Sequence, residues 1–222
     1  MFRDAWLVAA KDLRLELRSR VALNQVVPFA VLVLVLFAFA LDPDRVFLAK
    51  VTPGLYWIAV LFSALLAVQR AFAIETADGI RDGLRLSGLA PAGIFLGKVI
   101  AISIQLVVLE VLLALGVVVL YGAGFGGPLL LVPTALAATL CLASAGSIYG
   151  LLSAGLRVKE TILPLLLLPI LAPVLIAATQ AFTAGMGGYS GEGWRWLGLL
   201  VLFAAAYLGL GLGVYGVLLE EG

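Results

Sequence analysis

Between Val99 and Leu156 the chain carries one formal charge, Glu110, in 58 residues. A soluble domain has no interior large enough to hide such a run. The hydrocarbon core of a bilayer is about 30 Å thick and takes about 20 apolar helical residues per crossing. The run therefore demands two crossings and a break between them. YGAGFGGP (Tyr121–Pro128) supplies the break, because four glycines and a proline do not sustain a helix. The remaining composition agrees: 64% of the 222 residues are hydrophobic and 12% are charged, where soluble domains carry about 25% charged residues. The lipid bilayer is the solvent of this chain.

Four further spans are read on the same grounds. Val21–Leu41 and Val51–Gln69 are uncharged. Thr161–Phe182 contains Pro164, Pro169 and Pro173, which predicts a kinked helix whose freed carbonyls are covered by neighbours. Trp196–Leu219 is the last, after a Gly-rich stretch, TAGMGGYSGEGWR, that reads as a loop. With spans at about Ile94–Tyr121 and Leu129–Leu156, the fold class is an all-α polytopic membrane protein with six transmembrane helices and a single transmembrane domain, 1–222. Residues 1–20 place Phe2, Trp6, Ala9, Ala10, Leu13 and Leu17 on one stripe at 100° per residue. That predicts an amphipathic helix in the membrane interface, not a signal peptide, since charges recur through it with no apolar core.

Six spans put both termini on one side, and Lys and Arg decide which. The N-terminal segment, residues 70–98 and the turn at 157–160 hold eleven of them; the other face holds Arg45, Lys50 and Arg195. The positive-inside rule places the termini and the 70–93 loop in the cytoplasm.

That loop is the one charged island between apolar runs. Glu75, Asp78 and Asp82 follow at i, i+3 and i+7, along one helical face. Asp78 with Arg81, and Asp82 with Arg85, are opposite-sign pairs at i,i+3. Phe72, Ile80 and Leu84 form a narrow apolar stripe. A solvated loop with local ion pairs accounts for the charges alone. The length points further, because the charged stretch Arg70–Lys98, 29 residues, is long beside the other connections, and an amphipathic helix fits the groove of another protein.

Other motifs carry less. GIFLGKV (Gly93–Val99) has three residues between its glycines and Val after Lys, so it is not a phosphate-binding loop. Glu110, an intramembrane carboxylate, is either a proton-coupling site or a hydrogen-bonded acid joining two helices. Gly146 with Gly150, and Ala205 with Gly209 and Gly213, are small-residue faces that let helices approach, read here as internal packing. The chain has no histidine and one cysteine, Cys141. No catalytic constellation, metal site or cofactor site emerges, and a net charge of +1 gives no ground for a nucleic-acid partner.

The order of interfacial helix, six spans and a long cytoplasmic loop between spans two and three resembles the membrane subunit of an ABC-2-type exporter. Trp57–Ala101 narrows this to a resemblance to the haem exporter protein B family, CcmB, of cytochrome c maturation. The matching elements are Glu75, Asp78-Gly79, the run Asp82–Ser87 and Lys98, together with PGLYWIA (Pro53–Ala59) and LPLLLLPILAPVLI (Leu163–Ile176). SGLAP, around Gly88, departs from the family's usual Ser-Pro-Leu-Pro.

The resemblance implies a non-catalytic permease subunit of the bacterial inner membrane. It implies a homodimer assembled with a CcmA-like ATPase that carries the ATP, a CcmC-like haem-handling membrane protein and a small CcmD-like partner. The work done is haem export or release of the haem-loaded chaperone. Haem would sit on partner proteins, since this chain has no His and its methionines, Met1 and Met186, are read outside the spans. Phe72, Glu75, Asp78, Gly79, Arg81, Asp82 and Arg85 are the expected ATPase contact, with the N-terminal helix assisting. The competing reading is a stand-alone proton-coupled transporter working through Glu110.

Overall fold

The computed structural model describes residues 1–19, 25–40, 45–77, 88–154, 159–187 and 190–221. Most of these are helical, with no strand among them: α1 (Phe2–Ser19), α2 (Val27–Ala40), α3 (Arg45–Ala77), α4 (Pro91–Tyr121), α5 (Pro128–Ala154), α6 (Lys159–Gly187) and α7 (Ser190–Glu221). The all-α membrane fold is as expected. Five helices, α3 to α7, are long and apolar enough to cross a membrane. The fourteen-residue α2 is apolar too, but at 1.5 Å per residue it is about 21 Å long, short of the hydrocarbon thickness. Six crossings are therefore not established by helix length.

α5 stands at the centre and packs against α3, α4, α6 and α7. It can do so because its faces are made of small residues: Ala138, Ala143, Ala145 and Ser147 are buried. In lipid, where helices gain little from hydrophobicity, such close approach is the main source of association. Gly146 and Gly150 receive α3. A Cβ on Gly146 would lie 2.5 Å from Val68 Cγ2, and one on Gly150 would strike the Phe72 ring. The outcome for α7 is opposite. Ala205, Gly209 and Gly213 are exposed, and nothing lies within 4 Å of where a Cβ would stand at either glycine. That stripe faces outward from the chain instead of packing internally.

Four buried hydroxyls are turned back onto their own helices. Thr52 donates to Leu48 O (2.6 Å), Ser63 to Ala59 O (2.8 Å), Thr134 to Leu130 O (2.7 Å) and Ser147 to Ala143 O (2.7 Å). This satisfies them where no water is available. α6 runs through its three prolines. Tyr207 of α7 donates to Ile170 O at 3.0 Å, next to the Pro169 carbonyl that Pro173 leaves without its helical donor.

The break after α4 is as read: Gly122 caps the helix at φ 63° and Pro128 opens α5. The Gly-rich stretch at 183–195 is not the loop expected. α6 continues to Gly187 and α7 begins at Ser190. Gly185 and Gly193 serve contact: a Cβ on Gly185 would lie 2.7 Å from Leu131 Cδ2, one on Gly193 would strike Leu130, and one on Gly127 would lie only 2.8 Å from Gly185 O. One consequence is that Met186 lies in the last turns of a candidate span, Leu163–Met186, and not outside it.

Candidate functional site

α1 lies along the first turns of α4. Ala5, Val8 and Ala9 are buried against it, while Phe2, Trp6 and Leu17 are exposed. The approach is permitted by two glycines one turn apart in α4. A Cβ on Gly97 would sit 2.6 Å from Val8 Cβ and 2.7 Å from Ala5 O, and one on Gly93 2.8 Å from Asp4 Cβ. Gly93 and Gly97, unpromising as a phosphate loop, are the seat of a helix.

The same face of α1 carries Asp4, Asp12 and Glu16, and all three turn toward the bundle. Asp12 Oδ2 lies 2.9 Å from Lys98 Nζ on α4, and its other oxygen 3.0 Å from Lys11 Nζ. Lys98 is 1% exposed. Its ammonium also sits 5.2 Å from the centroid of the Phe72 ring on α3, a favourable cation–π geometry. Arg70 Nε, also on α3, donates to Glu16 Oε2 at 3.2 Å. At the other end of α1, the Ala90 amide donates to Asp4 Oδ2 (3.4 Å), and the N-terminal ammonium lies 3.2 Å from it. That ammonium holds the Asp4 carboxyl below its usual range.

Three helices thus meet in one polar clamp: α1, the end of α3 and the start of α4. Phe72 belongs to it, 3% exposed, with its ring over Gly150 of α5. Of the other expected contact residues, Glu75 lies on the last turn of α3. Asp78, Gly79, Arg81, Asp82 and Arg85 lie outside the described residues. Of the clamp residues, only Lys98 is marked by the sequence, through the family resemblance; Asp12, Glu16 and Arg70 are not. Their signal is the i,i+4 spacing of Asp12 and Glu16, on a helix that otherwise reads as basic.

Glu110 lies apart, twelve residues beyond Lys98 on α4, or about 18 Å along the axis. It is 4% exposed. Thr139 Oγ1 of α5 donates to its carboxyl at 2.6 Å, and Tyr56 of α3 donates to its backbone oxygen at 3.2 Å. Tyr56 in turn stacks on Phe182 of α6 at 5.1 Å. Four helices converge around this carboxyl, beside a cleft of about 270 Å³ lined by apolar groups such as Val111 and Leu131. The geometry is that of an acid joining helices. Thr139→Val is expected to cost about 1–3 kcal/mol, the penalty for a buried polar group deprived of its donor, measured as unfolding in detergent. Among the described residues no three potential metal ligands gather.

The family model described as CcmB protein matches residues 3–212. Among curated relatives, heme exporter protein B of Pseudomonas aeruginosa is 30% identical over 207 residues, covering 89% of each chain. That of Haemophilus influenzae is 31% identical over 185 residues, 80% of each chain. That of Paracoccus denitrificans is 31% identical over 182 residues, 80% of this chain and 82% of the relative. The match takes in α1 through most of α7, including the clamp and Glu110.

Proposed function

The chain belongs to the CcmB protein family, and on that footing we propose that it is the membrane subunit of a haem-handling transporter in c-type cytochrome biogenesis. A separate CcmA-like ATPase supplies the work. Two copies of the chain pair within the complex, beside a CcmC-like haem-handling protein and a small CcmD-like partner. α2, with the residues flanking it, makes the sixth crossing, so that both termini and residues 70–93 face the cytoplasm of a bacterial inner membrane. ATP and haem are held by partners. With no His in the sequence, this chain offers a haem iron no imidazole ligand.

The observation that carries this reading is the position of Lys98. A fully buried ammonium sits between Asp12 of α1 and Phe72 of α3. A displacement of the end of α3 therefore reaches α1 and α4 through short contacts in a rigid packed interior. The ATPase closes on the 70–93 loop, with Glu75, Asp78, Arg81 and Asp82 as the contact. α3 tilts, and the Arg70–Glu16 and Phe72–Lys98–Asp12 contacts carry α1 and α4 with it.

Charge reversal at Asp78 and Asp82 tests the contact. Co-purification of the ATPase is expected to fall at least tenfold, about 1.4 kcal/mol, with ATP-dependent cytochrome c assembly falling alongside. Survival of both places the contact elsewhere.

Glu110 separates this reading from a proton-coupled carrier. Gln keeps an acceptor for Thr139, so Glu110→Gln is expected to cost about 1 kcal/mol or less and to leave ATP-driven assembly working. A proton-driven carrier would be active in liposomes without ATP and would lose that activity in the same variant.

A further inference from the structure

Glu110 has bonding capacity that its own chain leaves unused. Thr139 donates to one carboxyl oxygen, and Tyr56 donates to the backbone oxygen. The second carboxyl oxygen has no donor among the described residues. The side chain is 4% exposed and lines the cleft between α4 and α5. That cleft follows both helices. Val107, Val111 and Ala114 line it from α4, and Pro128, Val132 and Ala135 from α5. Each set is spaced by four and then three residues, which is one face of a helix. Val111 and Val132 are more than half exposed, and the small Ala114 and Ala135 let another helix come close.

Depth decides what meets the second oxygen. Glu110 is eleven residues from Tyr121, about 16 Å along α4, or roughly half the hydrocarbon thickness below that end. An acyl chain fills such a cleft but carries no donor, and its headgroup stays about 15 Å away. A water finds only the carboxyl and the Tyr56 oxygen in an otherwise apolar lining, fewer than the about three partners that a buried water makes. A second copy brought to the same face by a twofold axis sets carboxyl opposite carboxyl. A membrane-spanning helix of a different chain supplies what is missing when it carries a hydroxyl or a carboxamide at this depth. Such groups both donate and accept, so they meet the carboxyl with or without its proton, where an ammonium meets only the carboxylate. We propose that the groove between α4 and α5 seats a transmembrane helix of a partner chain, and that Glu110 bonds a Ser, Thr, Asn or Gln side chain of that helix.

This docking rests on the proposed membership of a complex, and not on the ATPase contact. The chain is purified with its partners in mild detergent. Val132→Trp fills the groove from an exposed position and is expected to lower retention of one membrane partner about fivefold or more, with the ATPase still bound. Glu110→Leu removes the acceptor and is expected to release the same partner about fivefold, while Glu110→Gln, which keeps an acceptor, retains it. Full retention of every membrane partner in Val132→Trp overturns the proposal. If the unaltered chain holds a membrane partner but no ATPase, the transporter reading fails and the groove does not, since Val132→Trp still decides it.

A second measurement does not depend on a folded Glu110 variant. A photocrosslinker at position 132, in the otherwise unaltered complex in vesicles, reads the occupant directly. Expected is a crosslink to a membrane-spanning peptide of a different chain, within about one helical turn of a Ser, Thr, Asn or Gln. Crosslinks to lipid alone, or to a second copy of this chain, sink the proposal.

Discussion

Asp12→Ala is expected to cost about 3 kcal/mol of stability, the low end of the 3–5 kcal/mol measured when one partner is removed from a buried ion pair. The asymmetry of the pair sets the ranking of the variants. Asp12 keeps some contact with solvent and a second cation, Lys11, at 3.0 Å; Lys98 is fully enclosed. Removing the carboxylate leaves an enclosed ammonium without its 2.9 Å counter-ion, and the Phe72 ring returns only part of the loss. Lys98→Met is therefore the milder change. The thioether fills the same space and rests well against an aromatic ring, and the remaining carboxylate turns to Lys11.

The double variant, Asp12→Ala with Lys98→Met, removes both charges and is expected to be more stable than Asp12→Ala alone. Unfolding of all four proteins in one detergent closes the cycle. A coupling of about 2 kcal/mol is expected, where independent sites add within about 0.5 kcal/mol. Additivity would mean that the Asp12–Lys98 pair does not hold α1, leaving packing, the Arg70–Glu16 pair and the Ala90–Asp4 hydrogen bond to do so.

The large-scale organisation is legible in the sequence because the membrane makes it so. A run of 58 residues with a single charge has few places to go, and Tyr121–Pro128 announces its own turn. The clamp is not legible, for a physical reason. α1 has two apolar faces. The one made of bulky residues, Phe2, Trp6 and Leu17, points outward, and the one made of Ala5, Val8 and Ala9 meets α4. A stripe search weights bulk, so it finds the outward face, touches the seated one only at Ala9, and misses Ala5 and Val8 together with the Asp12 and Glu16 that ride beside them. Gly93 and Gly97 fail for a related reason, since a motif test asks what the glycines bind and not what they admit. The stretch at 183–195 reads as a loop from its glycines alone. The purpose of Gly185 and Gly193, close approach of α6 and α7 to the start of α5, exists only in the tertiary structure. Glu110 is located from sequence as an isolated buried acid, but its partner Thr139 is on another helix, and nothing in the spacing names it.

Gly97→Ala is expected to lift α1 from the bundle, at a local cost of about 2–4 kcal/mol. The added methyl would stand 2.6 Å from Val8 Cβ and 2.7 Å from Ala5 O. Neither is the far end of a flexible side chain; one is a β-carbon and the other backbone, so the helix must move as a body by about 1 Å to restore ordinary contact. That shift stretches the Asp12–Lys98 pair from 2.9 Å to near the limit of a direct ion pair, so packing and electrostatics are lost together. The readout is thiol labelling of Ala9→Cys, a position 0% exposed, in a chain whose native Cys141 is buried. Labelling requires local opening and is expected to accelerate on the order of 100-fold in the Gly97→Ala background. Gly209→Ala is the control: nothing lies within 4 Å of its Cβ, and replacing an exposed helical glycine is expected to gain about 0.5–1 kcal/mol. If Gly97→Ala labels no faster than the control, α1 is free of α4 already, and a helix that is free of the bundle transmits nothing to it.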